Sequence, residues 1–123
     1  MAIGAPDATV AEFLARLDRD LASGLQQLLV LGLVAKTGPL HGYGLIRALE
    51  QATGGRQVWK EGTIYPLLAT LEREGLAKAR WGTPTTGPRR KYYEATPAGR
   101  QVLRLAVGTW RELRAAVDQV VDA

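Results

Sequence analysis

The chain has 123 residues, enough for one hydrophobic core but not for two independent domains. It contains no cysteine and a single histidine, which excludes disulfides, thiolate metal sites, a cysteine nucleophile and a multi-histidine metal site within one chain. The net charge of +4, with a pI near 9.8, favours a polyanionic partner.

The first seven residues lack a basic segment followed by an apolar one, so no signal peptide is predicted. The longest apolar run, residues 28–35, contains Gly32 and is far shorter than the roughly 20 residues of a membrane-spanning helix. We therefore expect a cytoplasmic protein that does not enter a membrane. No cofactor and no metal are expected.

The N-terminal third has two helical patterns. The first begins after the predicted N-cap Asp7 and places apolar residues at spacings of three and four, namely Val10, Phe13, Leu14, Leu17 and Leu21. The second covers residues 23–36 and stops near Gly38 and Pro39. Gly24 leaves open whether the two helices are continuous.

Two further helices are predicted in the centre. Residues 42–53 form the third helix, which ends at a Gly-Gly pair. The fourth covers about residues 63–74, with Thr63 as the candidate N-cap, Pro66 in the first turn and Gly75 as the stop. Its apolar face is expected to hold it on the core.

A β-hairpin and a last helix complete the chain. Residues 76–81 and 89–95 are the predicted strands and residues 82–88 the turn between them. Thr96 as N-cap and Pro97 at the first helical position open the last helix. The segment from Lys78 to Lys91 contains five basic residues and no acidic one, so the positive charge coincides with the hairpin.

A helix followed at once by a hairpin with a basic tip is typical of a winged helix-turn-helix, in which the helix enters a major groove and the hairpin lies against phosphates. The predicted fold is mainly α with a small β-hairpin (α+β). Residues 1–22 are expected to form an N-terminal helix that contributes to a dimer, residues 23–95 the DNA-binding domain and residues 96–123 a C-terminal dimerisation helix.

The predicted DNA contacts lie on the fourth helix, on the hairpin and at the start of the third helix. Because alternate strand residues face opposite ways, at most two of the three basic hairpin residues face the same phosphates. A phosphate contact and simple packing are equally favoured for the third-helix tyrosine, and His41 beside it is expected to cap or pack. The predicted contacts are Tyr43, Lys60, Thr63, Tyr65, Thr70, Arg89, Arg90 and Lys91.

The last helix has an apolar heptad seam, which predicts pairing with another helix. A helix of this length at a chain end exceeds what a small winged core covers, so a homodimer is expected, binding a near-palindromic DNA site. The predicted interface consists of Leu14, Leu17, Leu103, Ala106, Trp110, Leu113, Val117 and Val120.

Trp110 allows two interpretations. A core aromatic is favoured, and the alternative is a flat wall at the dimer centre for a small aromatic effector. Arg111 and Arg114 flank it in sequence, which would favour an anionic guest.

The order of several motifs resembles the PadR-like winged-helix repressors over nearly the whole chain. The matching segments are residues 28–34 (LLVLGLV), 38–46 (GPLHGYGLI), 62–68 (GTIYPLL), 71–76 (LEREGL) and 89–99 (RRKYYEATPAG). The single C-terminal helix is similar to that of the compact branch of this family. The resemblance implies a homodimeric transcriptional repressor.

By position, the resemblance assigns DNA contacts to Tyr43, Thr63 and Tyr65. It also assigns them to the basic hairpin residues Arg89, Arg90 and Lys91. It also places Trp110 where the multidrug-responsive members of the compact branch have a drug-stacking tryptophan. Arg114 departs from the acidic surroundings expected for cationic drugs, which puts cationic-drug sensing in doubt.

Two rival functions compete with this interpretation. One is a winged-helix module that binds protein partners and leaves its basic hairpin solvated. The other is an enzyme, but no catalytic constellation or glycine-rich phosphate loop is found in the sequence.

Overall fold

The computed structural model describes residues 4, 7–55, 59–82 and 87–122. Within these residues the chain is mainly helical with one small antiparallel sheet, as predicted. The elements in chain order are α1 (Ala8–Lys36), β1 (Leu40–His41), α2 (Gly42–Ala52), α3 (Glu61–Arg73), β2 (Ala77–Trp81), β3 (Lys91–Ala95) and α4 (Pro97–Asp122).

The two N-terminal helical patterns form one continuous helix of 29 residues, which answers the question that Gly24 had left open. Asp7 caps it, since its Oδ1 accepts a hydrogen bond of 2.9 Å from the Val10 amide. A single glycine costs a helix only about 1 kcal/mol. The C-terminal part of α1 is also held by tertiary packing, with Val30 and Val34 fully buried. α1 therefore continues without a break across the predicted boundary between residues 1–22 and the DNA-binding domain of residues 23–95.

The core lies where the C-terminal half of α1 meets α2, α3 and the sheet. The apolar spacing of α3 predicted this packing, and the same residues are the ones that the structure buries. The largest fully buried side chains are Leu45, Leu49, Ile64, Leu68, Val30 and Val34.

The start of α3 differs from the prediction. Lys60 is the N-cap and makes no side-chain cap hydrogen bond, whereas Thr63 is the third helical residue. The amides of Thr63 and Ile64 both donate to the Lys60 carbonyl, so helical bonding begins one turn earlier than expected. Pro66 consequently lies in the second turn. It is tolerated there because it is exposed and removes only one helical hydrogen bond, that to the carbonyl of exposed Gly62.

The sheet has three strands rather than the predicted two, in the order β1-β3-β2. The added strand β1 pairs Leu40 with Tyr93 and His41 with Tyr92. β3 begins at Lys91, so the prediction that Arg89 opens the returning strand is wrong. The middle of the predicted turn, residues 83–86, lies outside the described residues.

α4 begins as predicted, at Pro97 with Thr96 before it. Thr96 Oγ1 accepts from the Gly99 amide at 3.1 Å and donates to the Gly75 carbonyl at 2.6 Å, which ties α4 to the end of α3. Arg100 Nη1 donates to the Ala35 carbonyl at 2.7 Å and so joins α4 to the C-terminal end of α1. The two long helices are in contact. No helix in the described parts of the chain is long and apolar enough to cross a membrane.

Candidate nucleic-acid interface

A cleft of about 350 Å³ separates the start of α2 and α3 from the wing, which we define as residues 77–82 and 87–95. Five of the eight residues predicted to contact DNA meet here. The cleft is lined by His41, Gly42, Tyr43, Tyr65, Trp81, Pro88, Arg89, Arg90 and Lys91. It is therefore built from aromatic rings and cationic groups.

Tyr65 occupies the cleft by lying on the backbone of α2. A Cβ atom at Gly42 would lie 2.7 Å from the Tyr65 hydroxyl oxygen and closer to its ring carbons, so a larger residue at this position would displace the ring. Tyr65 nevertheless remains 40% exposed. This contact fixes the start of α3 against the start of α2 and directs the tyrosine toward solvent.

Tyr43 projects from the first turn of α2 and is 54% exposed. Its ring lies parallel to that of His41, with the centroids 6.4 Å apart, and the Arg47 guanidinium lies 5.9 Å from its centroid. The tyrosine is thus held in place by neighbours while most of its surface stays open to solvent.

Arg89 and Arg90 of the wing are exposed, and each guanidinium lies next to an aromatic ring. The Arg89 guanidinium lies 5.5 Å from the ring centroid of Trp81, a distance suited to a cation–π contact. Arg90 Nη1 lies 3.1 Å from His41 Nε2. Trp81 itself is 56% exposed although it is a large aromatic residue. The wing therefore presents two guanidinium groups next to an uncovered indole.

Lys91 differs from Arg89 and Arg90 because its charge is paired with a carboxylate. Its Nζ donates to Glu72 Oε1 on α3 at 2.9 Å. This hydrogen bond is the main cause that raises the pKa of Lys91 above its ordinary value. The lysine therefore ties the wing to α3, and its ammonium is turned to a carboxylate instead of the open face.

The other predicted residues of α3 lie outside the cleft lining. Lys60 and Thr63 are exposed at the start of the helix. Thr70 is half-buried, and its hydroxyl donates to the Pro66 carbonyl at 3.0 Å while it accepts from Arg73 Nη2 at 3.2 Å. Its hydrogen bonds are thus made within α3.

His41 caps α2, as expected from the sequence. Its Nδ1 accepts a hydrogen bond of 3.0 Å from the Gly44 amide. Burial, and secondly the positive charge of Arg90, lower the pKa of His41 below its ordinary value of 6.5. The imidazole is consequently neutral at pH 7, the form that an Nδ1 acceptor requires.

Unfolding should become easier in mild acid because of His41, the only histidine in the chain. The folded state binds the histidine proton less readily than the unfolded state, so the stabilisation is complete above pH 6.5 and is lost as the pH falls through the lowered pKa. We expect the melting temperature to decrease between pH 7.5 and 5.5 and the decrease to be smaller in His41→Asn. Equal decreases in both proteins would contradict this assignment.

A second feature lies between α1 and α4. An apolar groove of about 410 Å³ is lined by residues that include Leu28, Leu71, Ala106, Trp110 and Leu113. Trp110 is 37% exposed, so the interpretation of a buried core aromatic is wrong for the single chain.

The two arginines predicted beside Trp110 are not among the residues that line this groove. Arg114 Nε lies 3.9 Å from Asp118 Oδ2, an exposed pair one helical turn apart. Neighbours in the helical sequence point to different sides of a helix, which explains why Trp110 is in the groove and Arg111 is not.

The residues predicted for the dimer interface divide into two groups. Leu103 and Ala106 are half-buried, and Leu103 packs on the core of its own chain. The others are exposed and continue along both long helices. The large exposed apolar residues on α1 and α4 are Val10, Phe13, Leu14, Leu17, Leu21, Val102, Leu105, Trp110, Leu113, Val117, Val120 and Val121.

The sequence did not predict that Trp81 and Glu72 take part in this interface. Trp81 was assigned only as a strand end, and Glu72 only as part of a helix. An exposed tryptophan next to a basic hairpin was a usable signal for the first. The contact of Glu72 with a residue 19 positions away depends on the tertiary fold and left no signal in the sequence.

A helix held on a small helical core, with a cationic β-wing beside it, defines the winged helix-turn-helix class of DNA-binding proteins. Residues 30–105 match the transcriptional regulator PadR-like family, and the chain belongs to that family. It is therefore a transcriptional regulator and not an enzyme, and its family implies DNA binding.

Solved structures agree with this assignment. A PadR family transcriptional regulator from Eggerthella lenta is 29% identical, with a TM-score of 0.80 over 94% of this chain and 97% of its own. A PadR-like transcription factor from Bacteroides fragilis is 30% identical, with a TM-score of 0.68 over 85% of this chain and 98% of its own. An uncharacterised protein of Lysinibacillus sphaericus is 27% identical over 84% of this chain and 94% of its own.

Proposed function

We propose that the protein is a cytoplasmic homodimeric repressor that binds a near-palindromic operator and is released from it by a small aromatic ligand. The observation that carries the DNA-binding part is the cleft in which Tyr65 of α3 meets Arg89 and Arg90 of the wing. A helix that reads base edges and a wing that binds phosphates must face the same side of the molecule, and these residues do.

In this proposal the exposed first half of α3 enters the major groove. Lys60, Thr63 and Tyr65 are its contact residues, since hydroxyls and an ammonium bind base edges or phosphate oxygens. Thr70 lies farther along the helix and has the weakest support, because its hydroxyl bonds within α3. Tyr43 contacts the backbone from α2.

The wing supplies salt-sensitive affinity through Arg89 and Arg90, which are exposed and carry full charge. Lys91 has a supporting role in this proposal. Its pairing with Glu72 sets the position of the wing relative to α3. A displaced wing would no longer reach phosphates while α3 occupies the groove.

The dimer is supported by the apolar surface that a single chain leaves in water. α1 and α4 expose twelve large apolar residues, among them Phe13, Leu113 and Val117. Contiguous apolar surface of this kind marks an interaction site in soluble proteins. We assign residues 1–22 and 96–123 to dimerisation and residues 23–95 to DNA binding, although α1 runs through the first boundary. Sedimentation should give twice the chain mass of 13.3 kDa.

The effector part rests on the groove between α1 and α4. Its lining is mostly apolar and contains one aromatic wall, Trp110, which suits a planar aromatic guest. Arg111 and Arg114 do not line the groove, so they would act on a bound ligand only through their positive charge nearby. A guest bound there would favour one spacing of the two α3 helices over another.

The DNA-binding proposal is tested by a mobility-shift titration of the full chain. The probes are its own upstream region and duplexes selected from a random pool, at graded salt. We expect a specific complex whose affinity falls linearly with the logarithm of salt concentration. Absence of a specific complex at moderate salt would favour the rival, a winged helix that binds proteins only.

Trp110→Ala should remove binding of an aromatic probe and leave the fold intact, because the indole is partly exposed and not part of the core. Suitable probes are anilinonaphthalene sulfonate and uncharged 2-naphthol. Leu105→Ala is the control, since Leu105 is also exposed on α4 but does not line the groove. Both variants are compared in probe titrations and thermal melts. A loss of stability of about 3–5 kcal/mol in Trp110→Ala would instead identify a structural aromatic.

A further inference from the structure

The two ring nitrogens of His41 each have a donor in front of them. Nδ1 receives the hydrogen bond of the Gly44 amide at 3.0 Å. Nε2 faces Arg90 Nη1 at 3.1 Å. A guanidinium nitrogen has protons to donate and no acceptor capacity.

One neutral imidazole cannot accept both hydrogen bonds, because one of its nitrogens carries a proton. If Nδ1 caps the helix, the proton is on Nε2 and points at the Arg90 guanidinium. The other tautomer would place an N–H against the Gly44 amide and remove the cap. The helix cap therefore selects the Nε2–H form, which leaves two donors together and no acceptor between them.

The orientation of the ring is fixed by its neighbours. Tyr43 lies parallel to it, with the ring planes 4° apart. Tyr92 meets it edge-on at 5.5 Å, through the backbone pairing of β1 with β3. These contacts favour the observed orientation of the imidazole, and His41 and Arg90 both line the cleft.

We propose that His41 Nε2–H donates a hydrogen bond to the same DNA backbone phosphate that Arg90 binds. This inference rests on the proposed DNA binding. A non-bridging phosphate oxygen accepts from more than one donor, so a single phosphate satisfies both groups and removes the conflict between them. The position agrees with the helix-turn-helix, in which the first helix of the motif crosses the backbone.

The charged and titratable groups around His41 favour this arrangement. Arg90 faces it from the residue before β3, Tyr92 from β3 and Tyr43 from α2. The lowered pKa of His41 keeps it neutral at pH 7. A neutral donor adds a hydrogen bond without adding charge, so its removal should weaken binding and leave the salt dependence unchanged.

His41→Asn separates the cap from the proposed contact. Asparagine is a good N-cap, and its Oδ1 replaces Nδ1, but the side chain has no group that reaches the position of Nε2. We expect an unchanged melting temperature at pH 7.5, an affinity for the selected operator about tenfold lower, and the wild-type salt slope. Arg90→Ala should lower the slope by about two, one unit for each half-site of the proposed dimer. The double variant should lose less than the sum of the two losses, because both donors bind one phosphate.

Three outcomes would overturn the inference. If His41→Asn folds stably and binds the operator as tightly as the wild type does, His41 is a helix cap only. The proposed function would then still stand, because the wild type binds DNA. Failure of the wild type to bind any duplex would overturn both. If the variant folds poorly, ¹⁵N NMR of the sole histidine in the wild-type chain decides: an Nε2–H tautomer whose proton shifts downfield on addition of operator supports the contact, and an Nδ1–H tautomer or an unshifted proton contradicts it.

Discussion

Replacing both Arg89 and Arg90 with alanine is expected to weaken DNA binding by at least about 100-fold at moderate salt, since each lost hydrogen bond to a charged phosphate contributes about 1.5–3 kcal/mol. The loss should be similar for operator and non-operator duplexes, because phosphate contacts carry little sequence information. Because the proposed dimer loses two phosphate contacts in each half-site, the slope of the logarithm of affinity against the logarithm of salt concentration should become shallower by about four.

The matched control for the wing is the double change of Arg104 and Arg111 to alanine. It removes the same net charge from two exposed positions on α4. If overall charge governed binding, both double variants would lose affinity alike. If the wing binds phosphates, the α4 variant keeps nearly all of its affinity and salt slope. An unchanged salt slope in the wing variant would remove Arg89 and Arg90 from the interface.

The second large effect is expected for stability, at Gly99 in the first turn of α4. A Cβ atom there would lie 3.0 Å from the Leu76 carbonyl carbon and closer to its oxygen. The obstacle is backbone, which cannot rotate aside as a side chain can. Gly99→Ala should therefore destabilise the fold by about 1–3 kcal/mol through forced displacement of α4, despite the better helix propensity of alanine.

Gly108→Ala is the control for this effect, because it makes the same chemical change in the same helix. Within the described parts of the chain, a Cβ atom at Gly108 would meet no other atom within 4 Å. The substitution should stabilise α4 by about 0.5–1 kcal/mol. Thermal or urea unfolding at one fixed protein concentration measures both. A Gly99→Ala variant as stable as Gly108→Ala would show that the contact of α4 with Leu76 is not as close as described.

The sequence predicted the helices, since their evidence is local. Apolar residues at spacings of three and four identified the buried face of α3, and Thr96 with Pro97 marked the start of α4. The exact start of α3 was missed because Lys60 caps by backbone conformation alone and leaves no capping side chain to recognise. β1 was missed because two residues are too few to show an alternating pattern.

The sequence predicted several residues of the candidate site but not the contacts between them. A basic hairpin after a helix indicated that Arg89, Arg90 and Tyr65 belong to one surface. The pairing of Lys91 with Glu72, and the contact of Arg90 with His41, join residues 19 and 49 positions apart. Such contacts depend on strand register and on how helices pack, which local patterns do not determine.

The most direct test of the DNA-facing surface is photocrosslinking to the selected operator. A benzoylphenylalanine in place of Tyr65 is compared with the same residue in place of Trp110, and binding of each variant is confirmed by mobility shift. We predict strong crosslinks to DNA from position 65 and none from position 110. A bound variant that crosslinks from position 110 but not from position 65 would contradict the account, because the groove between α1 and α4, and not the cleft beside the wing, would then face the DNA.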